Sequence, residues 1–246
     1  MKRWISWLTV LGIILSLAGC GQNIKTTSNE KLPKNEVAFT WWSDRFKSFG
    51  EYNYTGINEK QAMEDLKNRF QVELLPSFEI GRDIIKSGFL IDGASQEPEE
   101  FSFVASKSEL GFTSQVKFKN KENQYTSYGT VTAKYQYLEN LNKVKLSSQR
   151  IEIYNSTANG NYNGNDLADT LKQLGSLLQL DDLDKLLMDF NKETADQGNI
   201  KGKDIVIYED FHEGQKKRSF GKSMGVTYNE FGVLEKIYAI TIDYRI

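Results

Sequence analysis

Apolar residues recur along this chain with two periods, and the switches between them outline the elements. Val37-Ala38-Phe39-Thr40-Trp41-Trp42 reads as a first strand. Asn58 then offers an N-cap to a helix from Glu59 to about Leu74, where Ala62, Leu66 and Phe70 share one face beside Met63. Pro76 is expected to help end that helix. Residues 77–112 mix short apolar runs with Gly81, Gly88, Gly93 and Pro98, and only Phe101–Ala105 is predicted there, as a strand.

From Thr113 the period becomes two. Val116 and Phe118 lead into the polar turn Lys119-Asn120-Lys121-Glu122-Asn123. A strand from Tyr125 to Leu138 then places Val131, Ala133, Tyr135 and Tyr137 on one face. Val144 and Leu146 occupy one parity and Ile151 and Ile153 the other. That switch predicts a bulge near Ser147-Ser148, or a strand covered on both faces. These segments imply an antiparallel meander.

Asn159 to Asn165 is turn chemistry. Leu167, Leu171, Leu174 and Leu178 then form one helical stripe, and Leu183, Leu186, Leu187 and Phe190 another. Asp181-Asp182 between them is expected to stop the first helix and cap the second, giving a helical hairpin that Gly198 ends. Asp204–Tyr208 reads as a short strand. Phe220–Tyr228 and Val233–Tyr244 flank Asn229-Glu230-Phe231-Gly232 as a hairpin, with Tyr238, Ile240, Ile242 and Tyr244 alternating along its second arm. The sum is an α+β fold: an antiparallel β-meander and a C-terminal β-hairpin packed with an N-terminal helix and a helical hairpin.

The first residues follow a different logic. Lys2 and Arg3 precede an apolar run from Ile5 to Leu17, which is too short for a comfortable membrane span. Leu17-Ala18-Gly19-Cys20 follows and resembles the bacterial lipobox. That resemblance implies cleavage before Cys20 and transfer of a diacylglycerol to its sulfur. Two acyl chains at about 0.8 kcal/mol per buried CH₂ suffice for durable anchoring. Residues 1–19 are therefore expected to be a lipoprotein signal peptide and 20–36 a lipidated cysteine with a polar, flexible tether. Residues 37–246 are expected to form a single domain outside the cytoplasm, on a Gram-positive membrane. As a coil, the tether would span roughly 20 Å.

Composition narrows the function classes. The chain has 31 Lys and Arg against 33 Asp and Glu; without Lys2 and Arg3 the formal charge moves from −2 to −4. Nucleic-acid binding favours strongly basic faces, so none is expected. One cysteine and one histidine exclude a disulfide framework and thiol-rich metal clusters. No cofactor is expected.

Candidate chemistry is sparse. His212 is expected in an exposed connection with no flanking motif. Gly221-Lys222-Ser223 resembles the end of a phosphate loop, but the glycine needed five positions earlier is Lys216, and these residues start a hairpin. Asn159 to Thr170 resembles a calcium loop that lacks both its early carboxylates and a glutamate at its last position. Glu97, Glu99 and Glu100 cluster, as do Asp181, Asp182 and Asp184. Paired carboxylates can hydrolyse glycosides, but acids at a helix start also complement its dipole.

No catalytic, cofactor-binding or metal-binding residue is assigned. Trp41 and Trp42 are the candidate ligand contacts: on a strand they face opposite ways, and one exposed ring near Tyr52 and Tyr54 could stack on a sugar or a partner protein. The residues thus point to a non-catalytic interaction module of the cell envelope, with a protein or glycan partner. Two alternatives stand beside it. Val37–Trp42 followed by a helix ending in Leu66-Lys67-Asn68-Arg69-Phe70 resembles the opening of sugar-type solute-binding lipoproteins, which implies alternating strands and helices in two lobes. An envelope hydrolase would have to use carboxylates such as Glu99. Gly12 to Gly19 also resembles peptide pheromones cut from lipoprotein signals. Replacing Cys20 by serine is expected to move the protein from the membrane fraction to the medium, read by immunoblot; retention of the C20S chain on membranes would overturn the anchor.

Overall fold

The computed structural model describes residues 34–245, so Cys20 and the expected signal and tether up to Pro33 lie outside the described residues. In chain order the elements are α1 (Lys34–Val37), β1 (Trp42–Asp44), β2 (Glu51–Ile57), α2 (Glu59–Glu64, widening into a π-helical turn over Asp65–Phe70) and α3 (Pro76–Phe89). Then come β3 (Ser95–Gln96), β4 (Glu100–Ser106), β5 (Glu109–Lys119), β6 (Tyr125–Leu138), β7 (Lys143–Asn155), α4 (Leu167–Leu177) and α5 (Leu183–Thr194). The chain closes with α6 (Gln197–Ile200), β8 (Asp204–Glu209), α7 (Phe211–Lys217), β9 (Phe220–Tyr228) and β10 (Leu234–Asp243). All ten strands join one sheet in the order β2-β4-β5-β6-β7-β10-β9-β8, with β1 on β7 and β3 on β5. Every pairing is antiparallel. The fold is α+β, with a β4–β7 meander and a β9–β10 hairpin as its spine. The alternating two-lobed arrangement of solute-binding proteins is not what these residues form.

The parity switch in β7 is a bulge. Lys134 pairs with Ser148 but Tyr135 pairs with Leu146, so Ser147 has no partner, and its hydroxyl donates to Lys134 O at 3.0 Å. The extra residue lets Val144 and Leu146 on one side, and Ile151 and Ile153 on the other, all reach the same core. In the C-terminal hairpin, Gly232 takes φ +80° in the turn between β9 and β10, a conformation that suits glycine.

Five expectations about local structure are corrected. Val37 to Thr40 is not strand: Phe39 N donates to Glu36 O and Thr40 N to Val37 O, so turns hold this segment and only Trp42–Asp44 pairs. The helix after Asn58, whose side chain does accept from Gln61 N at 3.0 Å, stops at Phe70, where Gln71 turns left-handed. Pro76 opens the next helix at its first turn, where its missing N–H costs nothing. Asp182 does not cap α5 through its side chain, and Gly198 lies inside the short α6 rather than ending the hairpin.

Helix α3 was hidden by its glycines. Ser77, Phe78, Gly81, Arg82, Ile84, Ile85, Gly88 and Phe89 are buried, a helical stripe pressed on the sheet. Gly81 faces Ile151, and a Cβ there would come within 2.8 Å of Ile151 Cδ1. Across the interface Gly129 of β6 leaves room for Ile85, whose Cγ2 would stand 2.6 Å from an added Cβ. Phe78 stacks on Phe112 at 5.3 Å, and Phe112 meets Phe101 and Phe103 at 5.8 and 4.9 Å. Aromatic pairs so arranged contribute about 0.5–1.5 kcal/mol each beyond burial.

Gly129→Ala must push α3 from the sheet or force Ile85 off its rotamer, a cost of about 1–3 kcal/mol. Gly111→Ala on β5, where the nearest atom would be Val104 O at 3.7 Å, is expected to change stability by less than about 1 kcal/mol. Urea unfolding of both variants checks the contrast.

Candidate functional site

Antiparallel partners face the same side of a sheet, so register assigns each strand residue to a face. The face under α3 holds Ser114, Val131, Ile151, Ala239 and Met224 in one row. The opposite face carries Thr113, Thr132, Arg150, Ile240 and Ser223 in the matching row. The next row is Gln115, Thr130, Glu152, Tyr238 and Gly225, and the third is Lys117, Tyr128, Tyr154, Lys236 and Thr227. Its central side chains are half-buried or exposed, Tyr128 at 39%. This corrects what the alternation along β10 suggests. Tyr238, Ile240 and Ile242 lie on the open face, and the buried positions are Ile237, Ala239, Thr241 and Asp243.

The tyrosines on that open face are ordered by specific contacts. Tyr128 and Tyr154 stack at 4.6 Å with planes 12° apart. Lys236 sits beside them, its Nζ 5.4 Å from the Tyr154 ring and 5.7 Å from the Tyr238 ring, and pairs with Glu152 at 2.6 Å. Tyr238 lies across β9: a Cβ on Gly225 would stand 2.5 Å from its hydroxyl, so glycine is what lets the ring lie down. Thr113 and Thr132 hydroxyls are 3.0 Å apart in the neighbouring row.

Burial and the nearby Tyr154 and Glu152 raise the pKa of Tyr128, and burial with Asp204 nearby does the same at Tyr238, so both stay neutral donors. Burial would lower the Lys236 ammonium, but the bond to Glu152 outweighs it and holds the lysine charged. The result is a flat aromatic patch framed by an ion pair and hydroxyls, with no nucleophile activated.

The residues singled out in the sequence are scattered. Trp41 precedes β1 and packs edge-on against Tyr135 at 5.6 Å, and Lys145 Nζ lies 5.7 Å over the Trp42 ring. Neither reaches Tyr52 and Tyr54. Those two stack on each other at 5.7 Å on β2, at the far edge of the sheet, under Arg69. His212 is exposed on α7, a short helix rather than the expected loop. Asn155 anchors the Asn-rich turn: its Nδ2 donates to Leu234 O at 2.8 Å, and its Oδ1 accepts from Asn163 N at 2.8 Å. Among the described residues no three His, Cys, Asp or Glu gather as metal ligands.

Glu99 is absorbed by an ion-pair hub. Arg82, only 5% exposed, donates to Glu99 through Nε and Nη2 at 2.6 Å each, to Glu79 at 2.5 Å and to Glu59 at 2.8 Å. Lys86 and the Ser114 hydroxyl also serve Glu99. Burial alone would raise its carboxyl, but the bonds from Arg82, Ser114 and Lys86 hold it below the usual carboxylate range. A carboxylate so held is a poor proton donor near neutral pH.

The open-face tyrosines escaped attention in the sequence because Tyr128 and Tyr154 occupy the non-core parity of strands read for their core. No protein family, curated protein or solved structure matches this chain.

Glu99→Gln is expected to lower the unfolding free energy by about 2–4 kcal/mol at pH 7, because it strips one partner from a buried pair. Since the folded carboxyl titrates below its unfolded value of about 4.3, that contribution is whole above pH 4.3 and fades as pH falls through the folded value. Urea titrations from pH 7 to 3 should show the two proteins converging.

Proposed function

We propose that this chain is a non-catalytic binding module of the bacterial cell envelope, lipid-anchored at Cys20, and that its open sheet face docks glycan strands. The carrying observation is the stacked Tyr128–Tyr154 pair beside Tyr238 laid flat over Gly225. Sugar rings present apolar C–H faces and a rim of hydroxyls. Flat tyrosine rings suit the first, and Glu152, Lys236, Thr130 and Gln115, in the rows around them, suit the second. Two- and three-bond side chains held by stacking lose little freedom on binding, which favours such residues as anchors. The face carries both signs of charge, Lys117, Lys236 and Arg150 against Glu100 and Glu152, as a largely neutral polymer requires. The Lys86–Arg82–Glu99 ion pairs favour binding over hydrolysis: the clustered glutamates already serve a buried arginine.

The test is co-sedimentation of the purified protein with insoluble envelope glycan. Tyr154→Ala and Tyr238→Ala should each weaken binding about tenfold, which corresponds to ~1.4 kcal/mol. Tyr52→Ala, at the far edge of the sheet and on the α3 side, should leave it unchanged. Equal binding by all three variants, or none by the parent protein, would refute the glycan surface; capture of a protein in place of the glycan would reassign its partner.

A further inference from the structure

A second polar site lies away from the tyrosine patch, where the turn after α4, the start of α7 and the first residues of β9 meet α1. It is a cavity of about 260 Å³, at the small end of ligand pockets. Lys222, which in sequence belongs to a triplet resembling a phosphate loop, is the third residue of β9 and lines this cavity. It is only 7% exposed. Its backbone N–H donates to Asp210 Oδ1, yet among the described residues its ammonium has neither a hydrogen-bond acceptor nor a carboxylate within ion-pair distance. The ammonium lies 5.4 Å over the centre of the Phe39 ring.

The ammonium is not sealed off: among the described residues Ser127 Oγ is the one enclosed side-chain polar atom without a partner, so Lys222 Nζ opens onto the cavity, where solvent or a guest must supply its acceptors. The other strongly buried cations described in this chain find their acceptors within the protein: Arg82 has three carboxylates, Arg45 three backbone carbonyls, and Lys145 the carbonyls of Asp243 and Arg245.

The opposite wall supplies anions that are also unspent. Asp181 and Glu36 line the cavity, and their carboxylates accept no hydrogen bond among the described residues. Asp210 is different, since its second oxygen accepts from the Tyr208 hydroxyl at 2.8 Å, and Glu213 pairs with Lys217 at 3.3 Å. The cavity therefore presents the unpaired Lys222 ammonium, Lys217 being spent on Glu213, and two free carboxylates set too far from Lys222 to form the pair themselves. A simple anion would meet Asp181 and Glu36; a simple cation would meet Lys222. A molecule carrying both charges on neighbouring atoms satisfies both walls.

We propose that this cavity binds a small zwitterion of the α-amino acid class, its carboxylate on the Lys222 ammonium and its ammonium between Asp181 and Glu36. The Tyr208 hydroxyl, fixed by Asp210, and the Phe220 ring complete the lining. The size of the cavity limits the guest to one residue, free or at the end of a chain. The site is independent of the glycan surface, because none of its residues belongs to the three rows around the tyrosines.

Calorimetric titration of the purified full chain with glycine, D-alanine and L-alanine, with acetate and methylamine as single-charge probes, decides the matter. Saturable binding of at least one amino acid, at least tenfold tighter than acetate or methylamine, is expected. Lys222→Met should abolish it, and Asp181→Asn, at an exposed position that cannot threaten the fold, should weaken it at least fivefold. Tyr238→Ala should leave it intact, which separates this site from the glycan surface. If Lys222→Met fails to fold, Asp181→Asn carries the test alone. Absence of binding by all three amino acids at 10 mM, acetate binding as tightly as they do, or unchanged affinity in Asp181→Asn would overturn the proposal.

Discussion

The structure depends on how closely α3 can lie on the centre of the sheet. A helix and a sheet are usually held apart by the side chains between them, and two glycines remove that spacing at facing points. Gly81 admits Ile151 and Gly129 admits Ile85, so each isoleucine fills a notch in the opposing backbone. Overpacked cores lose about 1–3 kcal/mol for a single added group, so the notches leave little tolerance. Three consequences follow from this contact. The aromatic row Phe101, Phe103, Phe112 closes under Phe78. Arg82, one residue after Gly81, is drawn beneath the surface and needs its glutamates. Gly88 lies against Thr170 at a distance that seats α4 beside α3.

With one face committed to α3, the bulge at Ser147 determines what the other face can present. Without the extra residue, Ile151 and Ile153 would point away from the core that Val144 and Leu146 enter, because a one-residue slip exchanges the faces of a strand. The bulge restores them to the core and, by the same step, sends Glu152 and Tyr154 to the open side. The pairing of β10 on β7 then carries Lys236 and Tyr238 there as well. The aromatic patch is thus a consequence of the register that the core enforces, and its tyrosines are free to serve something other than packing.

Much of this could be read from the residues alone, for physical reasons that differ by element. The strands Tyr125–Leu138 and Phe220–Tyr228, the bulge and the leucine stripes of α4 and α5 were legible because their side chains answer mainly to one local period. Helix α3 was not, since glycines that read as breakers are there to admit isoleucines from elements far along the chain. Val37 to Thr40 has apolar residues in strand-like order, but Phe39 packs on Phe220 at 6.0 Å and turns hold the rest. Neither the patch nor the lysine cavity was visible, because each is assembled by register and by contacts between distant elements. Trp41 and Trp42 drew attention through their size, yet the first is tied to Tyr135 and the second lies against Lys145.

Buried cations separate the parts of the molecule that maintain it from the parts with something left over. In Arg82, Arg45 and Lys145 every charged nitrogen has an acceptor, and such networks fix the arrangement of the elements they join. Asp243, also buried, is satisfied in the same way by the backbone and side chain of Arg245. Lys222 breaks the pattern at a point where the fold had alternatives. An apolar side chain would suit β9 between Phe220 and Met224, and the carboxylates of Asp181 and Glu36 could have been placed in solvent. Burial pushes the Lys222 ammonium below the usual lysine range, with Asp210, Asp181 and Glu36 pulling the other way. Holding charges apart in a cavity costs folding free energy unless a guest recovers it on binding. A chain whose other strongly buried cations are all matched therefore leaves unspent interactions in two places, one flat and aromatic, the other a charged cavity.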